Sequence, residues 1–367
     1  MSETILFCGL ETYSLIGGIQ AFNRRVIRHL AAIATAAKLD ALDVVLRNDR
    51  IEDCPATPGV RFKLPGASRL QFAREFLRSL PNARIVFLGH VNLLPFGLIA
   101  KLLRPGLPIV LFVHGEEVWD EPGARCKRWY EPALVRCLTR IAAVSEYTGR
   151  RMTTVFHAPS HRITHFPNGA DRLSFEPGPL TNERQILTVT RIGPGDRRKH
   201  VDKALRAFAI VLKTYPDAVY EIVGDGALLA ELRGLAGELG VSASVRFLGR
   251  ATERELRDAY RRARVFLLPS SKEGFGIVYL EAWQYGLPVI CSVEGAASEI
   301  VTDGADGYAV DPNRVEQIAE RLLTLLSNAP IAPAFGERGR AKVEGRYLDS
   351  AFAGRLYGLY SELTEKR

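Results

Sequence analysis

The residues VFLLPSSKEGFGIVYLEAW, 265–283, combine an apolar run, a glycine-containing loop and a helical pattern. The run VFLL predicts a buried strand. A helix that begins near Ile277 places Glu273 in the preceding loop and Glu281 in the early turns of the helix. A strand that leads through a loop into a helix is the repeating unit of α/β folds, and the rest of the chain repeats it.

Two carboxylates bracket a Gly-Phe-Gly turn in this stretch. Gly274 and Gly276 lack side chains and let backbone N–H groups approach a ligand, and the N-terminus of the following helix favours phosphate. Carboxylates accept hydrogen bonds from sugar and ribose hydroxyls. We therefore expect Glu273, Phe275, Glu281 and the two glycines to form part of a nucleotide-sugar pocket. The alternative is that both glutamates are solvated surface residues.

The alternation of short apolar runs and helical patterns occurs twice along the chain. In the first half it predicts strands at 5–9, 44–47, 84–88, 109–113 and 141–144, and helices at 18–32, 69–80, 96–104 and 127–139. In the second half it predicts strands at 186–190, 219–223, 245–248, 265–268 and 288–291, and helices at 202–214, 228–239, 253–262 and 277–285. This pattern predicts an α/β fold with two Rossmann-like, doubly wound domains.

A polar segment with prolines and glycine, RLSFEPGPLTNER at 172–184, separates the two patterns. We therefore expect an N-terminal domain over 1–171 and a C-terminal domain over 185–343. Residues 344–367 carry a further helical pattern. Because ligands of such sheets bind beyond the carboxyl ends of the strands, we expect the two domains to face each other across a cleft.

Composition and charge limit the classes of partner. The 367 residues include no run that approaches the ~20 apolar residues of a membrane-spanning helix. The N-terminus has no basic segment before its apolar run, so we expect a cytoplasmic protein. The net charge of +8 favours anionic partners such as diphosphates and acidic lipid headgroups. No nucleic-acid-binding motif is present, so we expect no nucleic acid partner.

The motifs of metal and cofactor sites are missing. The five cysteines form no C-x-x-C pair, and the chain has no D-x-D motif, so we expect no metal ion. Gly17 and Gly18 precede the first predicted helix but do not form the G-x-G-x-x-G fingerprint of dinucleotide binding, so we expect no cofactor. Positive side chains and a helix N-terminus would then hold a diphosphate.

Two cations lie at the start of the second half. Arg191 ends the first strand there, and Lys199 follows a Gly-Pro-Gly loop just before a helix. Fixed cations in such positions neutralise a diphosphate and stabilise the charge that develops as it leaves. Arg197 and Arg198 are expected to face solvent.

His114 follows the predicted strand at 109–113, in the sequence HGEEVWD. A histidine at a strand end can form a hydrogen bond with a hexose hydroxyl, and the alternative is a structural histidine at a loop edge. Glu116 or Glu117 can hold an acceptor, and Asp120 is a weaker candidate.

The stretch EGFGIVYLE, with GLPVI after it, resembles the E-x7-E motif of the retaining glycosyltransferases of family four. Members have the GT-B fold of two Rossmann domains. Further similarity lies in the Gly-Gly pair, in HGE, in PNGAD at 167–171, in GDG at 224–226 and in EGAASEIVTDGADGYAV at 294–310. In that fold the last helix crosses back to the first domain, which we expect of 344–367.

The resemblance implies roles for particular residues. Gly17 and Gly18 would approach the donor diphosphate and sugar, and His114 would lie against the transferred sugar. The remaining predicted substrate contacts are Glu116, Asn168, Gly224, Leu248, Gly249 and Arg250. Three positions depart from the family pattern: His200 and Ala296 replace glycine, and Ser298 replaces proline. These departures concern the backbone path beside Lys199 and the shape of the sugar pocket.

The resemblance implies a retaining, metal-independent hexosyltransferase of the polysaccharide-biosynthesis type. Its donor would be a nucleotide-diphospho-sugar, with GDP-mannose favoured over UDP-glucose and UDP-N-acetylglucosamine, and its acceptor a sugar or a lipid-linked oligosaccharide. The alternatives are a sugar-nucleotide epimerase of related architecture, an inverting transferase that uses His114 or an adjacent acid as base, and a noncatalytic nucleotide-sugar-binding module.

The segment 68–80, SRLQFAREFLRSL, predicts an amphipathic helix with three arginines between apolar residues. Packing of its apolar face on the core is the favoured interpretation. The alternative is contact with an anionic membrane, which would make the protein peripheral on the inner face of that membrane.

Overall fold

The computed structural model describes residues 3–15, 17–120, 125–174, 178, 181, 183–327 and 330–365. The chain divides into two compact units. The N-terminal unit comprises Met1–Gly169 and Ser350–Arg367, and the C-terminal unit comprises Ala170–Asp349. Of the predicted separating segment 172–184, residues 175–177, 179, 180 and 182 lie outside the described residues.

A seven-stranded parallel sheet forms the centre of the N-terminal unit, in the order β3-β2-β1-β4-β5-β6-β7. Its strands are β1 (Thr4–Gly9), β2 (Ala41–Leu46), β3 (Val60–Lys63), β4 (Ala83–Leu88), β5 (Ile109–Val113), β6 (Arg140–Ala143) and β7 (Ile163–His165). Strands β1, β2 and β5 are buried along their whole length, because helices cover both faces of such a sheet. The helices before the separating segment are α1 (Gly18–Ala36), α2 (Arg69–Ser79), α3 (Leu94–Leu103), α4 (Glu131–Leu134) and α5 (Glu146–Thr154).

A six-stranded parallel sheet forms the centre of the C-terminal unit, in the order β10-β9-β8-β11-β12-β13. Its strands are β8 (Gln185–Val189), β9 (Val219–Val223), β10 (Val245–Gly249), β11 (Val265–Leu268), β12 (Val289–Ser292) and β13 (Gly307–Val310). Its helices are α6 (Val201–Thr214), α7 (Leu229–Glu238), α8 (Glu253–Arg262), α9 (Ile277–Gln284), α10 (Ala297–Ile300), α11 (Val315–Leu326) and α12 (Ile331–Arg346). The two sheets confirm the predicted pair of Rossmann-like, doubly wound α/β domains.

The last helix, α13 (Asp349–Thr364), packs almost entirely within the N-terminal unit. The ring centroid of Phe352 lies 5.3 Å from that of Phe22 in α1 and 5.1 Å from that of Phe166. The helix pattern predicted from residue 344 contains a break. Helix α12 ends at Arg346, and two residues, Tyr347 and Leu348, separate it from α13. The backbone N–H of Ala170 donates a hydrogen bond to the Tyr347 carbonyl at 2.7 Å, which fixes the break.

The prediction of a helix over 127–139 was wrong. Only the short α4 forms there, followed by a 3-10 turn at Val135–Cys137. Polar contacts hold residues 125–128 outside a helix: the Lys127 N–H donates to the Asp120 carboxylate at 2.7 Å, and buried Glu131 pairs with Arg125. Strand β3 was missed, because its Arg61 is charged and pairs with Asp43 of β2.

None of the helices within the described ranges is long and apolar enough to cross a membrane.

Candidate functional site

The loop before α9 adopts the conformation that its glycines require. Gly276 precedes the first residue of α9 with φ 95°, and a Cβ atom there would lie 2.5 Å from the ring of Tyr279. Both the left-handed backbone and the close ring exclude a larger residue. The predicted helix start at Ile277 is confirmed, with Glu273 in the loop before it and Glu281 in its second turn. The Phe275 side chain is 3% exposed and packs on Tyr347.

Lys199 and Glu273, which are 74 residues apart in sequence, form an ion pair in the structure. Lys199 Nζ lies 2.5 Å from Glu273 Oε1 and donates a second hydrogen bond, of 3.0 Å, to the carbonyl of Lys272. Both side chains are largely buried. A buried, hydrogen-bonded ammonium is held in one position, which is the property that charge stabilisation of a departing anion requires.

Arg191 lies in the loop that follows β8. Its side chain is 72% exposed, and Nη2 lies 3.4 Å from Asp196 Oδ1. Arg191 lines a cavity of about 170 Å³, together with residues from the starts of α6 and α7, and neither Lys199 nor Glu273 contributes to that lining. Arg197 is exposed, as predicted, and forms a two-pronged ion pair with Glu231.

Glu281 is half-buried and has a polar partner. The hydroxyl of Tyr260 donates a hydrogen bond to Glu281 Oε2 at 2.9 Å. Tyr260 in turn stacks on Tyr285, with ring centroids 4.9 Å apart. Burial raises the pKa of the Glu281 carboxyl above its ordinary value. No local motif indicated Tyr260, which lies 21 residues away in α8.

Gly224 lies where two loop backbones meet. Its φ is 149°, and a Cβ atom there would lie 1.8 Å from the carbonyl oxygen of Thr190. Its N–H donates a hydrogen bond to the carbonyl of Gly249 at 2.9 Å, which links the loop after β9 to the last residue of β10. The packing of the backbone therefore suffices to explain this glycine. Leu248 and Arg250, on either side of Gly249, are exposed.

The substitution of Ala296 for the glycine of the family pattern does not strain the backbone. Ala296 has φ −86° and ψ −14°, which is ordinary right-handed helical backbone. It is fully buried, and its N–H donates a hydrogen bond to the carbonyl of Glu273 at 3.2 Å. The Ser298 hydroxyl donates to the Gly295 carbonyl at 3.4 Å.

In the N-terminal unit, Gly17 and Gly18 begin α1 after a loop that Asp49 organises. The Asp49 carboxylate accepts hydrogen bonds from the backbone N–H groups of Thr12, Tyr13 and Ser14, at 2.6–3.1 Å. Ile16, between this loop and the glycines, lies outside the described residues. Sequence reasoning missed Asp49, because 35 to 37 residues separate it from its partners.

His114 follows β5 and is held from two sides. Its Nε2 lies 3.2 Å from the carbonyl oxygen of Gly89, and its ring packs edge-on to Phe22 at 4.7 Å. Burial lowers the pKa of His114 to about 4, so the imidazole is neutral near pH 7. A carbonyl only accepts, so we assign the ring proton to Nε2, which makes Nδ1 the acceptor. Burial also lowers the pKa of nearby His90 to about 4.

Glu116, Glu117 and Asn168, three further candidates of this unit, differ in their surroundings. Glu117 is buried, and its Oε1 accepts the backbone N–H of His114 at 2.5 Å, so it shapes the loop rather than facing an acceptor. Glu116 is half-buried in the 3-10 turn that contains both acids. Asn168 is 8% exposed, and its Oδ1 has no hydrogen-bond partner among the described residues.

Comparison with protein families and known proteins gives consistent matches. The family described as "Glycosyltransferase Family 4" matches residues 16–172, and "Glycosyl transferases group 1" matches residues 170–342. A "GDP-mannose-dependent monoacylated alpha-(1-6)-phosphatidylinositol monomannoside mannosyltransferase" of Corynebacterium glutamicum is 34% identical over 270 residues, which cover 68% of each chain. A related mannosyltransferase of Mycolicibacterium smegmatis is also 34% identical over 270 residues, covering 67% of this chain and 68% of the relative.

Solved structures have the same fold at low sequence identity. Sucrose-phosphate synthase from Thermosynechococcus elongatus superposes with a TM-score of 0.78 at 20% identity and full coverage of both chains. Anabaena Alr3699/HepE, in complex with UDP and glucose, superposes with a TM-score of 0.72 at 18% identity, covering 97% of this chain and 99% of the other.

Proposed function

This chain belongs to glycosyltransferase family four and has the GT-B fold, and from that premise we propose that it transfers a hexose from GDP-mannose to a sugar or lipid-linked oligosaccharide. Transfer retains the anomeric configuration and needs no metal ion. The observation that carries the proposal is the buried ion pair of Lys199 and Glu273 beside the glycine-flanked start of α9.

The C-terminal unit binds the donor in this proposal. Lys199 is fixed by two hydrogen bonds and stabilises the negative charge of the departing diphosphate. The N–H groups at the start of α9 add partial positive charge to the same region. Glu273 keeps its second carboxylate oxygen for a sugar hydroxyl. Glu281 Oε1 is the acceptor for ribose, because Oε2 already binds Tyr260.

GDP-mannose is the favoured nucleotide-sugar because the relatives at 34% identity are named as GDP-mannose-dependent. The similar structure of Alr3699/HepE, which holds UDP and glucose, is only 18% identical and supports the fold alone. An acceptor that carries a lipid is consistent with the same relatives, whose names refer to phosphatidylinositol mannosides.

Retention follows from same-face attack by the acceptor in this proposal, without an enzymic nucleophile. His114 contributes a neutral ring whose Nδ1 accepts a hydrogen bond from a hexose hydroxyl. A neutral imidazole suits this binding role, because the burial that lowers its pKa also makes it a weak general base.

The helix α2 supports peripheral contact with an anionic membrane at the cytoplasmic face. Phe72 and Phe76 are buried, as the core-packing interpretation requires. Leu70 is 84% exposed and Leu77 is 43% exposed, among the exposed arginines of the same helix (Arg69, Arg74 and Arg78). Exposed leucines among cations suit a membrane interface.

The test is transfer by wild-type protein and by K199A and E273A variants, with a panel of nucleotide-sugars. We expect each variant to lose about 10²-fold or more in kcat, because K199A removes the charge-stabilising ammonium and E273A removes the carboxylate that holds it in place. R197A removes an exposed cation of the same loop and serves as the control with near wild-type turnover. A near wild-type rate in either site variant, with its circular dichroism spectrum unchanged, would contradict the proposal.

Product analysis separates the alternatives. A retaining transferase gives a product whose anomeric configuration, determined by NMR, matches that of the donor. An epimerase would convert the donor without any acceptor, and a binding module would bind it without turnover.

A further inference from the structure

Hydrogen bonds join two loops of the C-terminal unit beside the ion pair. The first loop, 193–200, carries Lys199, and the second, 269–276, carries Glu273. The Ser271 N–H donates to the carbonyl of Arg198 at 2.9 Å, and Lys272 Nζ donates to the carbonyl of Gly195 at 2.8 Å. These bonds hold the Lys199 backbone and the Glu273 backbone in a fixed relation.

The His200 side chain contributes a further contact between the same two loops. Its Nε2 lies 2.9 Å from the hydroxyl oxygen of Ser271. The Ser271 hydroxyl also lies 3.3 Å from Arg198 Nε and 3.4 Å from the carbonyl oxygen of Arg198. A serine hydroxyl can accept from the two nitrogen donors and donate to the carbonyl, so all three contacts are compatible.

The backbone of His200 is strained. It has φ 55° and ψ 36°, the left-handed conformation, where a 3-10 turn ends and α6 begins. This is the position at which the family pattern has glycine, the residue that adopts this conformation without steric cost. A histidine held in strained backbone beside a site is a candidate for function.

We propose that His200 is a positioning residue for the transfer reaction: through Ser271, it holds the loop 269–276 so that Glu273 stays paired with Lys199. The inference rests on the proposed function of that ion pair. Ser271 is two residues before Glu273 and is 5% exposed, so a shift of Ser271 is passed directly along the backbone to Glu273.

The deciding variant is H200G, which removes the strain and the side-chain contact together. If His200 has only a structural role, the H200G variant should have an equal or higher melting temperature and full activity. The positioning role predicts an equal or higher melting temperature with kcat reduced by about 10-fold and the donor KM changed less, because a small misplacement mainly affects the transition state.

Three further variants complete the test. S271A removes the partner hydroxyl and is expected to match the kcat loss of H200G. The double variant should be no worse than either single variant, because both remove one interaction. H200N tolerates the left-handed backbone and keeps a donor, so partial recovery is expected. H157G is the matched control, because His157 is a second left-handed histidine, with φ 52°, in the other unit.

The outcomes separate this inference from the proposed function. If K199A and E273A lose activity while H200G and S271A both keep wild-type kcat, the positioning role is wrong and the proposed function stands. If the kcat losses of H200G and S271A multiply in the double variant, the two residues act separately and the inference is also overturned. If wild-type protein transfers no hexose from any donor, the proposed function itself fails.

Discussion

His90 follows β4 and His114 follows β5, and both imidazoles are uncharged near pH 7. Burial lowers the pKa of each imidazole to about 4, against an ordinary value of 6.5. Between these two pH values the unfolded chain binds more protons than the folded protein does. The free energy of unfolding therefore falls as the pH drops through this window, and it is unaffected by these groups above about 7.

Replacement of His114 tests this pH dependence. H114Q keeps a donor for the Gly89 carbonyl but does not titrate. Between pH 7 and pH 4.5 the free energy of unfolding should fall less in H114Q than in the wild-type protein, by roughly 2 kcal/mol. Urea denaturation of both proteins at several pH values measures the difference. Parallel pH profiles would show that His114 is equally easy to protonate in the folded and unfolded chain.

The loop from β1 to α1 depends on a residue from another element. Asp49, which follows β2, is 3% exposed and accepts three backbone N–H groups of this loop. A carboxylate with several backbone donors replaces the solvation that these groups lose on burial. Asp49 thereby fixes the path of the chain that leads to Gly17 and Gly18.

Loss of the Asp49 carboxylate should affect both stability and donor binding. D49A leaves three N–H groups without their acceptor, so we expect the free energy of unfolding to fall by about 2 kcal/mol. The donor KM should rise, because the chain before Gly17 is released. D53A, which changes an exposed acid nearby, is the control. Urea denaturation and steady-state kinetics measure both effects, and unchanged values in D49A would rule out this role.

Elements and residues were predictable where the determining signal is local. The apolar run before Glu273, and the glycine before Ile277, indicate a strand, a loop and a helix without any distant information. Tyr260 and Asp49 were not predictable, because their partners come from other elements of the fold. The ion pair of Lys199 with Glu273 was only half predicted: both residues were assigned to one site, but their direct contact depends on the order of β8 and β11 in the sheet.

Over the whole molecule, the net charge of +8 favours anionic partners. The arginines of α2 contribute to this positive charge and lie next to exposed leucines. Attraction to acidic lipid contributes roughly 1 kcal/mol for each arginine close to the surface, and salt screens it. A surface of this kind would bring the protein to an acceptor that is anchored in lipid.

Vesicle binding tests this surface. We expect wild-type protein to cosediment with vesicles that contain phosphatidylglycerol and to be released by salt. R69S/R74S should bind about 10-fold more weakly or worse, by the contribution given for each arginine. R254S/R257S makes the same change in charge on α8, in the other unit, and should bind as wild type. Equal binding of both double variants, or no binding at low salt, would contradict the role of α2.

The return of α13 to the N-terminal unit affects the order of events during synthesis. Phe352 completes a cluster of aromatic rings with Phe22 and Phe166, yet some 180 residues of the other unit are translated in between. During translation of the C-terminal unit, the N-terminal unit therefore lacks its last helix, and part of its aromatic cluster is exposed to solvent. Phe352 covers those rings only after the final helix has emerged.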